Sequence, residues 1–259
     1  AVSIAVSSGR RDFLELFGVK KFRKSGDRSP VSPCRTVPIL LKPLVQSPES
    51  FESPHRAAAA AGLFSFCLWG SVVSFMVITG YFISPDNYEI NFKLKEFLIL
   101  LIIAVCLIPI QTSVEEIVFR GYLMQGFGYW FNSRFMALFM SCTVFGLLHI
   151  ANPEVTQLGN GFIFVYLISS FILGITVLMD DGLELVIGFH AANNLFIALL
   201  LTSDWTALQT ESVLKDISDP TFGIYEMLIG AILYPAVLYI FAKKYSWTNW
   251  KEKLLSRVR

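Results

Sequence analysis

Charge is what this 259-residue sequence has least of: 16% of its residues are charged against 54% hydrophobic, and its mean hydropathy is +0.58. A water-soluble domain of this size needs more polar surface than that, so composition excludes an ordinary soluble enzyme and names a lipid bilayer as the solvent. Histidine is scarcer still, with three in the chain, and no H-E-x-x-H helix of a zinc protease occurs. The four cysteines, Cys34, Cys67, Cys106 and Cys142, form no C-x-x-C pair and show no metal spacing, so they read as small buried hydrophobes. A net charge of +1 gives no footprint for nucleic acid. No internal repeat is visible, and the longest loop beyond the N-terminal segment runs only from Ser203 to Gly223.

What is present is a series of apolar runs. A helix needs roughly 20 apolar residues to cross about 30 Å of hydrocarbon. Six runs approach that length: Gly62 to Ile83, Glu96 to Thr112, Phe135 to Ile150, Gly161 to Met179, Leu183 to Thr202 and Ile224 to Ala242. A mixed stretch from Ile117 to Phe131 adds a seventh, or joins the second run as one long helix kinked at Pro109. The fold class expected is all-α, a polytopic transmembrane bundle of six to seven helices.

Residues 1–56 differ in composition, with Ser, basic residues and prolines at 30, 33, 38, 43, 48 and 54. They read as a disordered cytoplasmic tail, although a basic, Ser-rich targeting peptide has similar composition. Residues 57–242 then form one membrane domain and residues 243–259 a basic cytoplasmic tail, with Trp247 and Trp250 set among basic residues as in a segment lying on an anionic leaflet. Ten of the 21 Lys and Arg precede Gly62 and six follow Ala242, whereas the loops 151–160 and 203–223 hold one Lys against five acids. The positive-inside rule places both termini in the cytoplasm of a cell, endoplasmic reticulum or plastid membrane. Trp69, Trp130, Trp205, Trp247 and Trp250 fall near run ends, as interfacial aromatics do.

Ionisable groups inside apolar runs cost several kcal/mol and mark function or specific pairing. Here they are Glu115, Glu116 and Arg120 in T-S-V-E-E-I-V-F-R-G-Y-L, His149 in F-G-L-L-H, and His190 with Asn193 and Asn194 in G-F-H-A-A-N-N-L-F. Residues four apart share a helix face. Glu116 and Arg120 should therefore form a buried structural ion pair, Phe145 should pack beside His149, and His190 and Asn194 should act together, with Asn193 one position off. Glu115, rotated by about 100° from Glu116, is left without a partner in its own helix. With a turn near Asn132 to Arg134, an antiparallel hairpin sets Glu115 and His149 at one depth, and the turn at Asp180 to Gly182 brings Asn194 near the same level.

In these residues the sequence resembles the CAAX protease and bacteriocin-processing family, also called the ABI family, which includes type II CAAX prenyl endopeptidases. Its E-E-x-x-x-R, F-x-x-x-H and H-x-x-x-N motifs fall in order on Glu115, Glu116 and Arg120, on Phe145 and His149, and on His190 and Asn194, within a core of about residues 94–201. The resemblance implies an intramembrane endopeptidase cutting a membrane-associated protein or peptide, prenylated substrates included. In it Glu115 and His149 activate water while His190 and Asn194 form the oxyanion hole. No cofactor is expected. The alternative is a zinc ion on Glu115, His149 and His190, which requires all three ligand atoms about 2 Å from one point. Two other classes compete: a non-catalytic immunity or scaffold protein, and a proton-relay transporter, which the lack of repeats disfavours.

Overall fold

A computed structural model describes residues 54–221 and 224–258, so Cys34 and the N-terminal segment up to residue 53 lie outside the described residues. The chain is helical for most of its described length. Helix α1 spans Pro54–Ile83, α2 Leu94–Glu116, α3 Met124–Phe131, α4 Arg134–Leu148, α5 Pro153–Leu158, α6 Ile163–Asp180, α7 Glu184–Leu200, α8 Ile224–Lys244 and α9 Trp250–Leu255. Between α2 and α3 the helix does not stop but widens into a π-helical stretch, Ile117–Leu123. The second run and the mixed stretch are thus one rod from Leu94 to Phe131, continuous through Pro109. It ends where Asn132 adopts a left-handed conformation and Ser133 caps α4 by accepting from the Met136 amide at 3.3 Å.

Among the described residues, four helices are long and apolar enough to cross a membrane: Ala57–Ile83, Leu94–Phe131, Arg134–Ala151 and Asn160–Asp180. The second run and the mixed stretch are joined, the second of the two forms expected for them, and the run from Leu183 to Thr202 yields a 17-residue helix, about 25 Å long at 1.5 Å per residue, because the chain turns extended at Leu201. Only 11% of the most apolar stretch of the Leu94–Phe131 rod is buried. Leu98, Ile102, Val105 and Ile110 stand on its exposed side. An apolar face of that length needs an apolar solvent.

Helices α1 and α7 pack closely along each other because small residues line the contact. A Cβ on Gly188 would lie 2.0 Å from the carbonyl oxygen of Gly62, and one on Gly62 would lie 3.2 Å from the carbonyl of Glu184. In the same interface the Ser65 hydroxyl donates to the Leu185 carbonyl at 2.7 Å. The core gathers Trp69 from α1, Leu138 from α4, Met179 from α6, Phe189 from α7 and Phe241 from α8. Of the three cysteines among the described residues only Cys142 is buried; Cys67 and Cys106 lie on exposed helix faces, where an apolar run meets the surroundings rather than the core.

Both ends of the bundle are clamped. At one end three short strands, β1 Tyr88–Ile90, β2 Leu201–Ser203 and β3 Leu214–Asp216, form a sheet ordered β1-β3-β2, antiparallel between β1 and β3 and parallel between β2 and β3. It ties the end of α1, the start of α2 and the end of α7 together, which an all-α reading does not foresee. At the other end Trp247 donates to Asp180 at 2.9 Å, Lys253 pairs with Asp181 at 2.9 Å, and the Arg134 amide donates to the Ser256 carbonyl at 3.0 Å. The C-terminal segment is therefore docked on the ends of α4 and α6.

Substituting Gly188 by Ala is expected to destabilise the detergent-purified protein by about 1–3 kcal/mol, the range for forcing an atom into a packed contact. Gly126→Ala, where an added Cβ meets nothing within 4 Å, should leave stability unchanged or raise it by up to about 1 kcal/mol. Thermal unfolding measures both, and equal shifts would refute the close approach of α1 and α7.

Candidate active site

Glu115 and Glu116 are the last residues of α2, immediately before the π-helical stretch. There the Met124 amide reaches the Phe119 carbonyl five residues back, and the Ser141 hydroxyl of α4 also donates to that carbonyl, at 2.6 Å. Such widened turns frequently mark functional positions. This one carries Arg120 into the interior, where its Nη1 donates to Glu116 Oε1 at 3.0 Å and both side chains have no exposure. Arg120 Nη2 donates to the Ser170 hydroxyl at 2.9 Å and to its carbonyl at 3.3 Å, which ties the pair to α6.

Glu116 has a second partner that its helix spacing does not reveal. His190 Nδ1 lies 2.7 Å from the same Oε1. A carboxylate paired with arginine accepts hydrogen bonds, so Nδ1 carries the proton and donates it to Glu116. The opposite ring nitrogen, Nε2, then faces Glu115 Oε2 at 3.7 Å and Asn194 Nδ2 at 3.5 Å. Glu115 keeps 30% side-chain exposure, whereas Glu116 keeps none. The two adjacent carboxylates thus meet one imidazole from two sides, one buried and one open.

Glu115 is not without a partner in its own helix, as spacing from Arg120 suggested: Gln111, one turn earlier, donates from Nε2 to its Oε1. That leaves Oε2 turned toward His190. His149 closes α4, at the start of a single tight turn, His149–Ala151. Its Nδ1 lies 2.9 Å from the Phe145 carbonyl, which only accepts, so Nδ1 is the protonated nitrogen and the Nε2 lone pair is left open. The ring stacks on Tyr166 with centroids 4.5 Å apart, and Tyr166 accepts from Asn152 at 3.2 Å.

Level depths across the hairpin do not produce a direct Glu115–His149 bond. The hydrogen-bonding and ionic partners of Glu115 are Gln111 and His190, while His149 bonds to its own helix. Phe145 joins the two histidines instead. Its ring centroid is 4.9 Å from that of His149 and 6.1 Å from that of His190, and the Arg120 guanidinium carbon sits 4.1 Å from it. Arg120 over that ring face adds a cation–π contact to the buried pair.

Asn193 and Asn194 continue the network. Asn193 Nδ2 donates to Asn194 Oδ1 at 3.1 Å, and Trp69 Nε1 of α1 donates to Asn193 Oδ1 at 3.0 Å. Trp69 was expected at an interface; it is 5% exposed and packs between Phe189 and Tyr234. Gln111, Tyr166, Ser170 and Trp69 are the site neighbours that sequence reasoning missed. Only Gln111 left a signal, its spacing of four from Glu115.

Among the described residues no three His, Cys, Asp or Glu side chains are placed to hold a metal ion. With Nδ1 of both histidines committed, Nε2 of each is the atom through which the alternative zinc set of Glu115, His149 and His190 would bind.

Residues 94–196 match the family model described as "Rce1-like: Type II CAAX prenyl endopeptidase Rce1-like". The matched stretch begins with α2, ends in α7 and contains every motif residue named above. The chain is also 34% identical over 143 residues to the uncharacterized protein YyaK of Bacillus subtilis (strain 168), covering 54% of this chain and 47% of that protein. The chain thus spans about half the length of the curated relative it matches. No solved structure matches it.

Removing either member of the buried pair strands the other in a region without solvent. Glu116→Ala and Arg120→Ala should each lower the yield of folded protein, by a destabilisation of about 3–5 kcal/mol. Wild-type yield and melting temperature for both variants would contradict the role of the pair in holding α2.

Proposed function

We propose that this chain, whose residues 94–196 belong to the type II CAAX prenyl endopeptidase Rce1-like family, is an intramembrane endopeptidase that hydrolyses a peptide bond in a membrane-associated protein or peptide. A prenylated C-terminus of the CAAX type is the substrate the family description suggests. The observation that carries the reading is the pairing of an open carboxylate, Glu115, with the Nε2 of a histidine held from behind by a buried carboxylate, Glu116. A buried ion pair of this kind, kept only for structure, needs no second carboxylate on the exposed side of the ring.

In the proposed reaction Glu115 Oε2 takes a proton from a water molecule, and the open Nε2 lone pair of His149 assists on the opposite flank. The hydroxide attacks the scissile carbonyl carbon, and the charge that develops on its oxygen is received by hydrogen-bond donors. Asn194 Nδ2 supplies one. His190 supplies the other from Nε2: a proton taken up there when substrate binds releases the Asn194 NH2 from that nitrogen, so that both donors turn to the oxyanion while Nδ1–H stays on Glu116. Glu115 then returns its proton to the leaving amine, so the peptide bond breaks with water added across it and no acyl-enzyme forms.

The same reading makes residues 57–242 a multi-pass membrane domain with cytoplasmic termini. Its support is the cluster of Lys243, Lys244, Lys251 and Lys253 near the Asp180–Gly182 turn, joined there by the Lys253–Asp181 pair.

Glu115→Gln keeps the size of the side chain and its place beside Gln111 but removes the base. Cleavage of a tagged membrane substrate should fall by roughly 10²–10⁴, the usual contribution of a general base, with melting temperature unchanged. Full processing by this variant would end the general-base assignment and favour a non-catalytic binding protein. Elemental analysis of the active protein should find no stoichiometric zinc; zinc lost together with activity would reverse the metal-free mechanism.

A further inference from the structure

The direction of every hydrogen bond around Asn194 is settled by one atom outside the matched segment. An indole N–H only donates. Trp69 Nε1 donates to Asn193, so the Asn193 oxygen faces Trp69 and its NH2 faces Asn194 at 3.1 Å. That NH2 demands an acceptor, so the Asn194 oxygen turns toward it and the Asn194 NH2 toward His190 Nε2, 3.5 Å away. His190 in turn donates from Nδ1 to Glu116, which Arg120 holds. The bonds run head to tail from Trp69 to Glu116 across α1, α7 and α2.

We infer that Trp69 and Asn193 are positioning residues that fix which end of the Asn194 amide faces the reacting carbonyl. An unrestrained asparagine presents its NH2 or its oxygen by rotation about one bond, and the oxygen repels a developing oxyanion. With the relay intact, one Asn194 hydrogen lies toward His190 and the other is free for substrate oxygen. This deepens the endopeptidase reading and rests on it. It also assigns a role to α1, which lies outside residues 94–196 yet packs Trp69 against Phe189 with ring centroids 4.1 Å apart, one residue before His190.

The competing account is that Trp69 and Asn193 merely join two helices, and it predicts a loss of stability without a loss of turnover. Three variants separate the two. Trp69→Phe keeps an aromatic ring against Phe189 and Tyr234 but removes the donor. Asn193→Asp still accepts from Trp69 but presents only acceptors to Asn194, which then reverses its amide. Trp247→Phe removes an equally buried indole donor, the one bonded to Asp180 at 2.9 Å, far along the chain from the site.

The assay uses the full chain in nanodiscs and an internally quenched peptide ending in S-farnesyl cysteine followed by three residues. Trp69→Phe and Asn193→Asp should lower kcat by about tenfold or more, up to the roughly 10²–10³ of a lost oxyanion donor, with KM within about twofold. Trp247→Phe should keep the wild-type kcat. Combining Asn193→Asp with Asn194→Ala should be no worse than Asn194→Ala alone, because both act through one amide. Wild-type kcat in Trp69→Phe, or losses that multiply in the double variant, would overturn the relay.

Should the wild-type protein leave this peptide uncut, the substrate reading fails and the relay is judged by nuclear magnetic resonance alone. The Asn194 side-chain NH2 signals, assigned by their disappearance in Asn194→Ala, must shift in Trp69→Phe and stay in place in Trp247→Phe. Unmoved signals in Trp69→Phe would overturn the inference whatever the activity.

Discussion

A single carboxylate oxygen carries the arrangement. Glu116 Oε1 accepts from Arg120 at 3.0 Å and from His190 at 2.7 Å, with no access to solvent. A charge taken out of water is expensive unless it is paired and hydrogen-bonded, so neither donor can leave without stranding the other groups. Because Arg120 also holds Ser170, and its guanidinium lies over Phe145, this one charge pair ties α2, the π-helical turn, α4, α6 and α7 to a common point. The His190 ring is thereby fixed in both position and tautomer, and its far nitrogen has one direction in which to face, toward Glu115.

The packing around that point serves the same end. Glycines at 62 and 188 let α1 approach α7 to backbone contact two residues before His190, and the approach brings Trp69 within reach of Asn193. The short sheet at one end and the docked C-terminal segment at the other restrain helices whose outer faces are largely apolar. Sliding of α7 along α1 would break the Ser65–Leu185 and Trp69–Asn193 bonds together. The polar atoms of the site thus sit on helices rather than loops, apart from the turn that begins at His149, and rigid elements hold reacting groups more closely than loops do.

Much of the site was legible because helix periodicity is local. Glu116 with Arg120, Phe145 with His149 and His190 with Asn194 are each four apart, and each pair is in contact. The bonds between helices were not legible, since the mutual register of two rods is set by packing that no spacing reports. That is why the Glu116–His190 bond and the Trp69–Asn193 bond were missed, and why Trp69 read as an interfacial aromatic. The fold was similarly partial. Apolar runs located α1, α4, α6 and α8, but Glu115, Glu116 and Arg120 left open whether one helix or two ran from Leu94 to Phe131. One rod forms, because Glu116 and Arg120 neutralise each other inside it and Glu115 stands at its open side. Strands of three residues are too short to show a period of two, so the sheet left no trace.

The central claim is that Glu116 takes the Nδ1 proton of His190 and leaves Nε2 to the open side. It is tested most directly by ¹⁵N resonance of histidine-labelled protein in nanodiscs, with the His190 signals identified by their loss in His190→Asn; a chain with three histidines keeps that spectrum simple. The account predicts a protonated Nδ1, alone or together with Nε2, and its loss in Glu116→Gln. A His190 ring protonated on Nε2 only, with Nδ1 bare, would contradict it.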